Sequence, residues 1–106
     1  QAIRFKLSEM ATKLQAARLL THDAARRHDA GERIDLEAGM AKLFAAEAAF
    51  EIATEAMRIH GGNGYSVEYP VERFFRDTPL MIIGEGTSEI QKLVIARKLL
   101  ERHAVD

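Results

Sequence analysis

The segment from Leu36 to His60 cannot be satisfied by a single neighbour. Met40, Leu43, Phe44, Phe50, Ile52, Met57 and Ile59 carry large apolar groups along it. Ala45, Ala49, Ala53 and Ala56 make a narrow strip at helical spacing, and Ala46 and Ala48 widen the apolar surface beyond one face. A helix with this pattern needs cover on two sides, and an alanine strip lets a partner helix approach closely. The chain is thereby directed toward a helical bundle.

The flanking segments agree. Ile3, Leu7, Met10, Leu14, Ala17, Thr21 and Ala24 alternate four- and three-residue steps, predicting a helix from about residue 2 to about residue 30 with one apolar stripe. Gly31 suits the position just beyond its end, Asp35 the N-cap of the next helix, and Glu37 its first turn. The short turn makes these two helices antiparallel neighbours. Gly61-Gly62-Asn63-Gly64 ends the second helix. Pro70 is placed to open a short helix carrying Val71, Phe74 and Phe75, which Thr78-Pro79 is expected to stop; Leu80 to Ile83 then reads as a buried extended connector. Ser88 and Gln91 fit a capping box, and Ile90, Leu93, Val94 and Leu100 predict the inward side of a last helix ending near Arg102. The expected fold class is all-α, with three long helices and one short one in a single domain spanning 1–106.

Composition removes several function classes. A net charge of -1 leaves no excess for gripping nucleic acid. No stretch approaches the roughly 20 apolar residues that cross a bilayer, and there is no signal-peptide pattern. The absence of cysteine excludes disulfides and thiolate sites and fits a reducing compartment. His22, His28, His60 and His103 show no zinc-like spacing, so no metal is expected. At 106 residues the chain buries roughly 60–65% of its unfolded surface. It begins inside a helical pattern with neither an initiator methionine nor a cap, as a piece of a longer protein would.

One residue stands outside the packing logic. Glu85 lies between Gly84 and Gly86, behind an apolar run and ahead of a helix start. As an acid near a helix N-terminus it contributes roughly 0.3–1 kcal/mol, which requires no flanking glycines. Glycine on each side instead permits close approach of a backbone or ligand, as a carboxylate serving as general base in a partly dry pocket requires. Gly61 and Gly62 read first as a helix terminator followed by a turn, because no strand precedes them as in a dinucleotide fingerprint; exposed backbone against a flat cofactor or its phosphates is the alternative. Thr87 and Ser88 are placed either to cap the last helix or to meet a phosphate.

The stretches Ile59-His60-Gly61-Gly62-Asn63-Gly64-Tyr65, Glu68-Tyr69-Pro70-Val71-Glu72-Arg73, Arg76-Asp77, Glu85-Gly86-Thr87-Ser88-Glu89-Ile90-Gln91 and Ile95-Ala96-Arg97, in this order and at these gaps, resemble the C-terminal helical domain of flavin-dependent acyl-CoA dehydrogenases. The resemblance covers essentially the whole chain and is most specific from Arg58 onward. It implies an up-and-down bundle lacking its first helix. It also implies FAD as cofactor, an acyl-CoA thioester as substrate and an electron-transferring flavoprotein as acceptor. A dimeric or tetrameric homo-oligomer, in the cytoplasm of a bacterium or the mitochondrial matrix, completes the expectation.

In that family Glu85 would be the base removing the α-proton, with Gly84 and Gly86 lining the acyl-CoA pocket. Thr87 and Glu89 would lie near the phosphates and adenosine of FAD. Gln1, Arg58, Gly61 and Gly62 resemble segments that contact the FAD of a neighbouring subunit. Arg58 and Glu89 depart from the glutamine found there in many members, so backbone contacts carry over more directly than side-chain ones. The 106-residue piece alone is expected to be inactive and to self-associate through an uncovered apolar face. An acyl-CoA oxidase of the same fold and a non-catalytic helical interaction module are the alternatives.

Overall fold

A computed structural model describes residues 1–104. It contains α1 (Ala2–Asp29), α2 (Asp35–Ile59), a single 3-10 turn (Gly61–Tyr65), α3 (Val71–Ile83) and α4 (Ser88–Arg102), with no strand among the described residues. The all-α expectation holds.

The α1–α2 connection forms where glycine allows it. Gly31 takes φ 84°, its N–H bonds to the His28 carbonyl at 3.0 Å, and the Glu32 N–H reaches back to the Arg27 carbonyl at 3.0 Å. Together these make a Schellman ending, which satisfies two carbonyls that the helix would otherwise leave open. The chain then reverses. Lys6 meets Glu55 at 3.0 Å and Lys13 meets Glu51 at 2.6 Å, so α1 and α2 are antiparallel. Asp35 is the first residue of α2 rather than its cap; Ile34 holds that position without a side-chain bond. The Asp35 carboxylate instead meets Arg33 at 3.2 Å and Lys98 at 3.8 Å.

α2 is the spine. It packs against α1, α3 and α4, whereas α1 has no comparable contact with α3 or α4. Its buried set of Leu36, Glu37, Gly39, Ala41, Ala46, Ala48 and Ala53 bears out the two-sided reading. α3 lies against the C-terminal half, where Phe75 stacks on Phe50 with ring centroids 5.7 Å apart. α4 lies against the N-terminal half. Both run opposite to α2, one after the other, in a molecule of 57 × 27 × 26 Å.

Further details differ from the sequence expectations. α3 does not stop at Thr78-Pro79 but continues to Ile83, so Leu80 to Ile83 is helical rather than extended. The Phe75 carbonyl, which Pro79 cannot serve, receives the Thr78 hydroxyl at 3.4 Å. Thr87, not Ser88, caps α4, accepting the Ile90 N–H at 3.2 Å.

The α4 face turned to α2 is not the apolar one. Ser88, Gln91, Ile95, Lys98 and Arg102 form that stripe: Ser88 bonds Glu47, Gln91 and Ile95 crowd Gly39, Lys98 meets Asp35, and Arg102 meets Glu37. Ile90, Leu93 and Leu100 are 49%, 67% and 73% exposed. The contact is made by polar pairs around Ile95; of the expected inward set only Val94 is half-buried, and the other three face outward. On α1, likewise, Ala24 is buried while Ile3, Leu7 and Leu14 remain exposed, because α2 covers only part of the stripe. Ala45 and Ala49 are half-buried and line an open groove with Met81 of α3 rather than a tightly closed helix contact.

The lower contact is charged. Glu37 is 8% exposed and receives the Arg102 guanidinium at 3.0 and 3.3 Å, with Arg27 at 4.0 Å. Hydrogen bonding to Arg102, reinforced by both positive charges, holds the Glu37 carboxyl below its ordinary range against the opposing effect of burial.

Candidate functional site

The connection between α3 and α4 falls over the middle of α2, and Glu85 sits at its apex. It has φ 55°, the one non-glycine residue among those described with positive φ. The left-handed region costs an ordinary L-residue roughly 1–2 kcal/mol, so surrounding contacts must hold it there. The flanking glycines serve different needs. Gly86 has φ 99°, and a Cβ on it would stand 2.8 Å from the Gln91 amide nitrogen. Gly84 has φ -70°, open to any residue, but a Cβ would stand 3.1 Å from the Leu80 carbonyl oxygen.

The polar framework explains how the loop keeps this shape. The Gly84 N–H bonds to the Leu80 carbonyl at 2.7 Å, finishing α3, and the Gln91 N–H bonds to the Thr87 carbonyl at 2.9 Å, starting α4. Lys42 of α2 donates to the Gly86 carbonyl at 2.8 Å and the Ile82 carbonyl at 3.4 Å. Ser88, only 2% exposed, donates to Glu47 of α2 at 2.7 Å. Among the described residues no side chain pairs with the Glu85 carboxylate, and the Glu85 N–H finds no acceptor. Glu85 borders an open groove of about 370 Å³ with Lys42, Leu80, Met81 and Gly84. The arrangement offers an accessible carboxylate and a free backbone donor beside apolar surface.

The residues singled out from the sequence fall into two places. Gly84, Glu85, Gly86, Thr87 and Glu89 are together at the loop, with Glu89 exposed in the first turn of α4. Arg58, Gly61 and Gly62 lie at the far end of α2, roughly 24 Å along the helix from Lys42 at 1.5 Å per residue. The register set by the Lys6–Glu55 and Lys13–Glu51 pairs brings Gln1 to that same end. Arg58 is engaged with Glu55 at 2.6 Å. Gly61 has φ 61°, and no atom lies within 4 Å of where a Cβ on Gly61 or Gly62 would stand, so their backbone is open to approach. Lys42 and Glu47 belong to the loop site but escaped the sequence reading. The available signal was two charged residues within a helix whose pattern demanded cover on two sides.

The family model described as Acyl-CoA dehydrogenase, C-terminal domain, matches residues 1–100. The chain belongs to that family. It is 54% identical over 101 residues to the 3-(aryl)acrylate reductase of Clostridium sporogenes, covering 95% of this chain and 27% of that protein. Among solved structures it is similar to butyryl-CoA dehydrogenase from Megasphaera elsdenii, with TM-score 0.93, 43% identity, and 94% of this chain and 26% of the other covered. The FAD complex of PigA matches with TM-score 0.91 and 30% identity over 96% of this chain and 27% of that one. The chain therefore spans about a quarter of the length of these relatives. This acyl-CoA dehydrogenase C-terminal domain contains no helix, among the described residues, long and apolar enough to cross a membrane.

Proposed function

We propose that this domain supplies the catalytic base of an FAD-dependent acyl-CoA dehydrogenase, with Glu85 removing the α-proton of an acyl-CoA thioester. The observation that carries the reading is an unpaired carboxylate held at φ 55° beside an apolar groove, a conformation with no packing purpose. The α-proton of a thioester is a poor acid, so its removal needs both a placed base and stabilisation of the developing enolate. Glu85 is suited to both: its carboxylate takes the proton, and its free N–H donates to the thioester carbonyl. Gly84 and Gly86 keep side-chain bulk away from the reacting carbons.

The residues present fit FAD at two patches. Thr87 and Glu89 at the start of α4 would border the flavin nucleotide of the same chain, while Gln1, Arg58 and the open backbone of Gly61 and Gly62 would meet that of a second copy. A second copy meeting that patch would make the protein a homo-oligomer. FAD, when bound, accepts the β-hydrogen as hydride, so that loss of the α-proton completes the α,β-double bond. The electrons would leave through an electron-transferring flavoprotein, in the cytoplasm or the mitochondrial matrix. The similarity to a 3-(aryl)acrylate reductase supports a second reading, the same chemistry run toward saturation.

The test uses the full-length flavoprotein. Anaerobic acyl-CoA should bleach the yellow flavin, and Glu85→Gln should retain flavin while slowing bleaching by roughly 10²–10⁴-fold. Retained turnover in the variant would eliminate Glu85 as the base. Peroxide formation in air would identify an oxidase, bleaching only by a strong reductant with turnover of an enoyl substrate a reductase, and absence of flavin a non-catalytic module.

A further inference from the structure

We infer that Lys42 is a positioning residue for Glu85, acting from α2 as a clamp that keeps the loop in its left-handed conformation; this rests on the proposed role of Glu85. The ammonium bridges two carbonyls on either side of Glu85 in sequence, Ile82 at 3.4 Å and Gly86 at 2.8 Å. The Ile82 carbonyl belongs to the last turn of α3, where backbone acceptors lack helical donors and the dipole favours a cation. That turn contains no basic residue of its own, so α2 supplies the charge. Five residues along α2, Glu47 holds Ser88 at the opening of α4, where the dipole favours an anion. One helix thus presents a cation to the end of α3 and an acid to the beginning of α4, and the strained residue hangs between them.

Without the ammonium, the Gly86 carbonyl loses its bond and the glycine beside Glu85 is free to turn. Glu85 could then relax toward negative φ, swinging its carboxylate and N–H away from their common target. A general base displaced by about 1 Å loses rate far more than it loses binding, and losses near 10²-fold are typical.

Full-length enzyme carrying Lys42→Met, Lys42→Arg or Glu85→Gln tests the clamp. Lys42→Met should lower kcat per bound flavin by roughly 10–100-fold with KM for acyl-CoA within about twofold, and Lys42→Arg, which can still donate to both carbonyls, should recover most of it. A Lys42→Met enzyme with normal kcat per bound flavin, whatever its melting temperature or flavin content, would overturn the inference. If that variant does not accumulate, Lys42→Ala, which also removes the donor, is read by the same criterion. Inactive Glu85→Gln beside fully active Lys42→Met removes the clamp alone; active Glu85→Gln removes the base assignment and the clamp with it.

Discussion

The molecule has two glycine-rich turns, and they solve opposite problems. At Gly61–Tyr65 the chain puts glycine where the backbone is unusual: Gly61 takes positive φ, and Gly64 is pressed against the Met57 carbonyl with no room for a Cβ. At 84–86 the central unusual conformation falls on glutamate, with glycine displaced to either side. The first turn is made cheap by its residues. The second is held by other parts of the fold, through Lys42 and Glu47. The contrast separates a turn built to end a helix from one built to present a side chain.

Substitutions can break this contrast. The largest effect is expected at Gly64→Ala, because the new methyl meets backbone that cannot swing aside; denaturant unfolding should show a loss of roughly 1–3 kcal/mol. An unchanged midpoint would mean that the 3-10 turn shifts freely. Next comes Glu85→Gly, which should stabilise by about 0.5–1 kcal/mol while abolishing turnover of the full-length enzyme, since positive φ costs glycine little. Destabilisation there would show that the glutamate side chain itself secures the loop. The smallest effect belongs to Gly62→Ala, where the added methyl meets open space; stability should stay within about 0.5 kcal/mol. Weaker flavin retention by that variant in the full-length protein would support a cofactor contact at this turn, and unaltered retention would argue for a plain helix ending.

The sequence was most legible where a residue's local preference and its structural job coincide. Gly31 ends α1 because glycine tolerates the left-handed position, and the double-sided alanine pattern of α2 is matched by helices on two sides. It misled where a neighbour replaced the missing local partner: Thr78 serves the carbonyl that Pro79 abandons, so α3 runs on. The facing side of α4 was read wrongly because apolar periodicity says which residues avoid water, not which contact a particular helix meets. Glu85 was visible as an anomaly from its glycine neighbours. Its backbone conformation and the Lys42 bonds were not, because both depend on where α3 ends over α2.

The ion pairs along α1 set an order in which the protein comes apart. α1 has a single buried residue, Ala24, late in its length, while its earlier turns are tied to α2 by the partly exposed Lys6–Glu55 and Lys13–Glu51 pairs. Such pairs contribute roughly 0–1 kcal/mol and weaken with salt. The leading turns of α1 can therefore peel from the spine while α2 stays folded, a local opening far cheaper than global unfolding. Gln1 lies one turn ahead of these pairs, so its alignment with Gly61 and Gly62 rests on contacts that salt weakens.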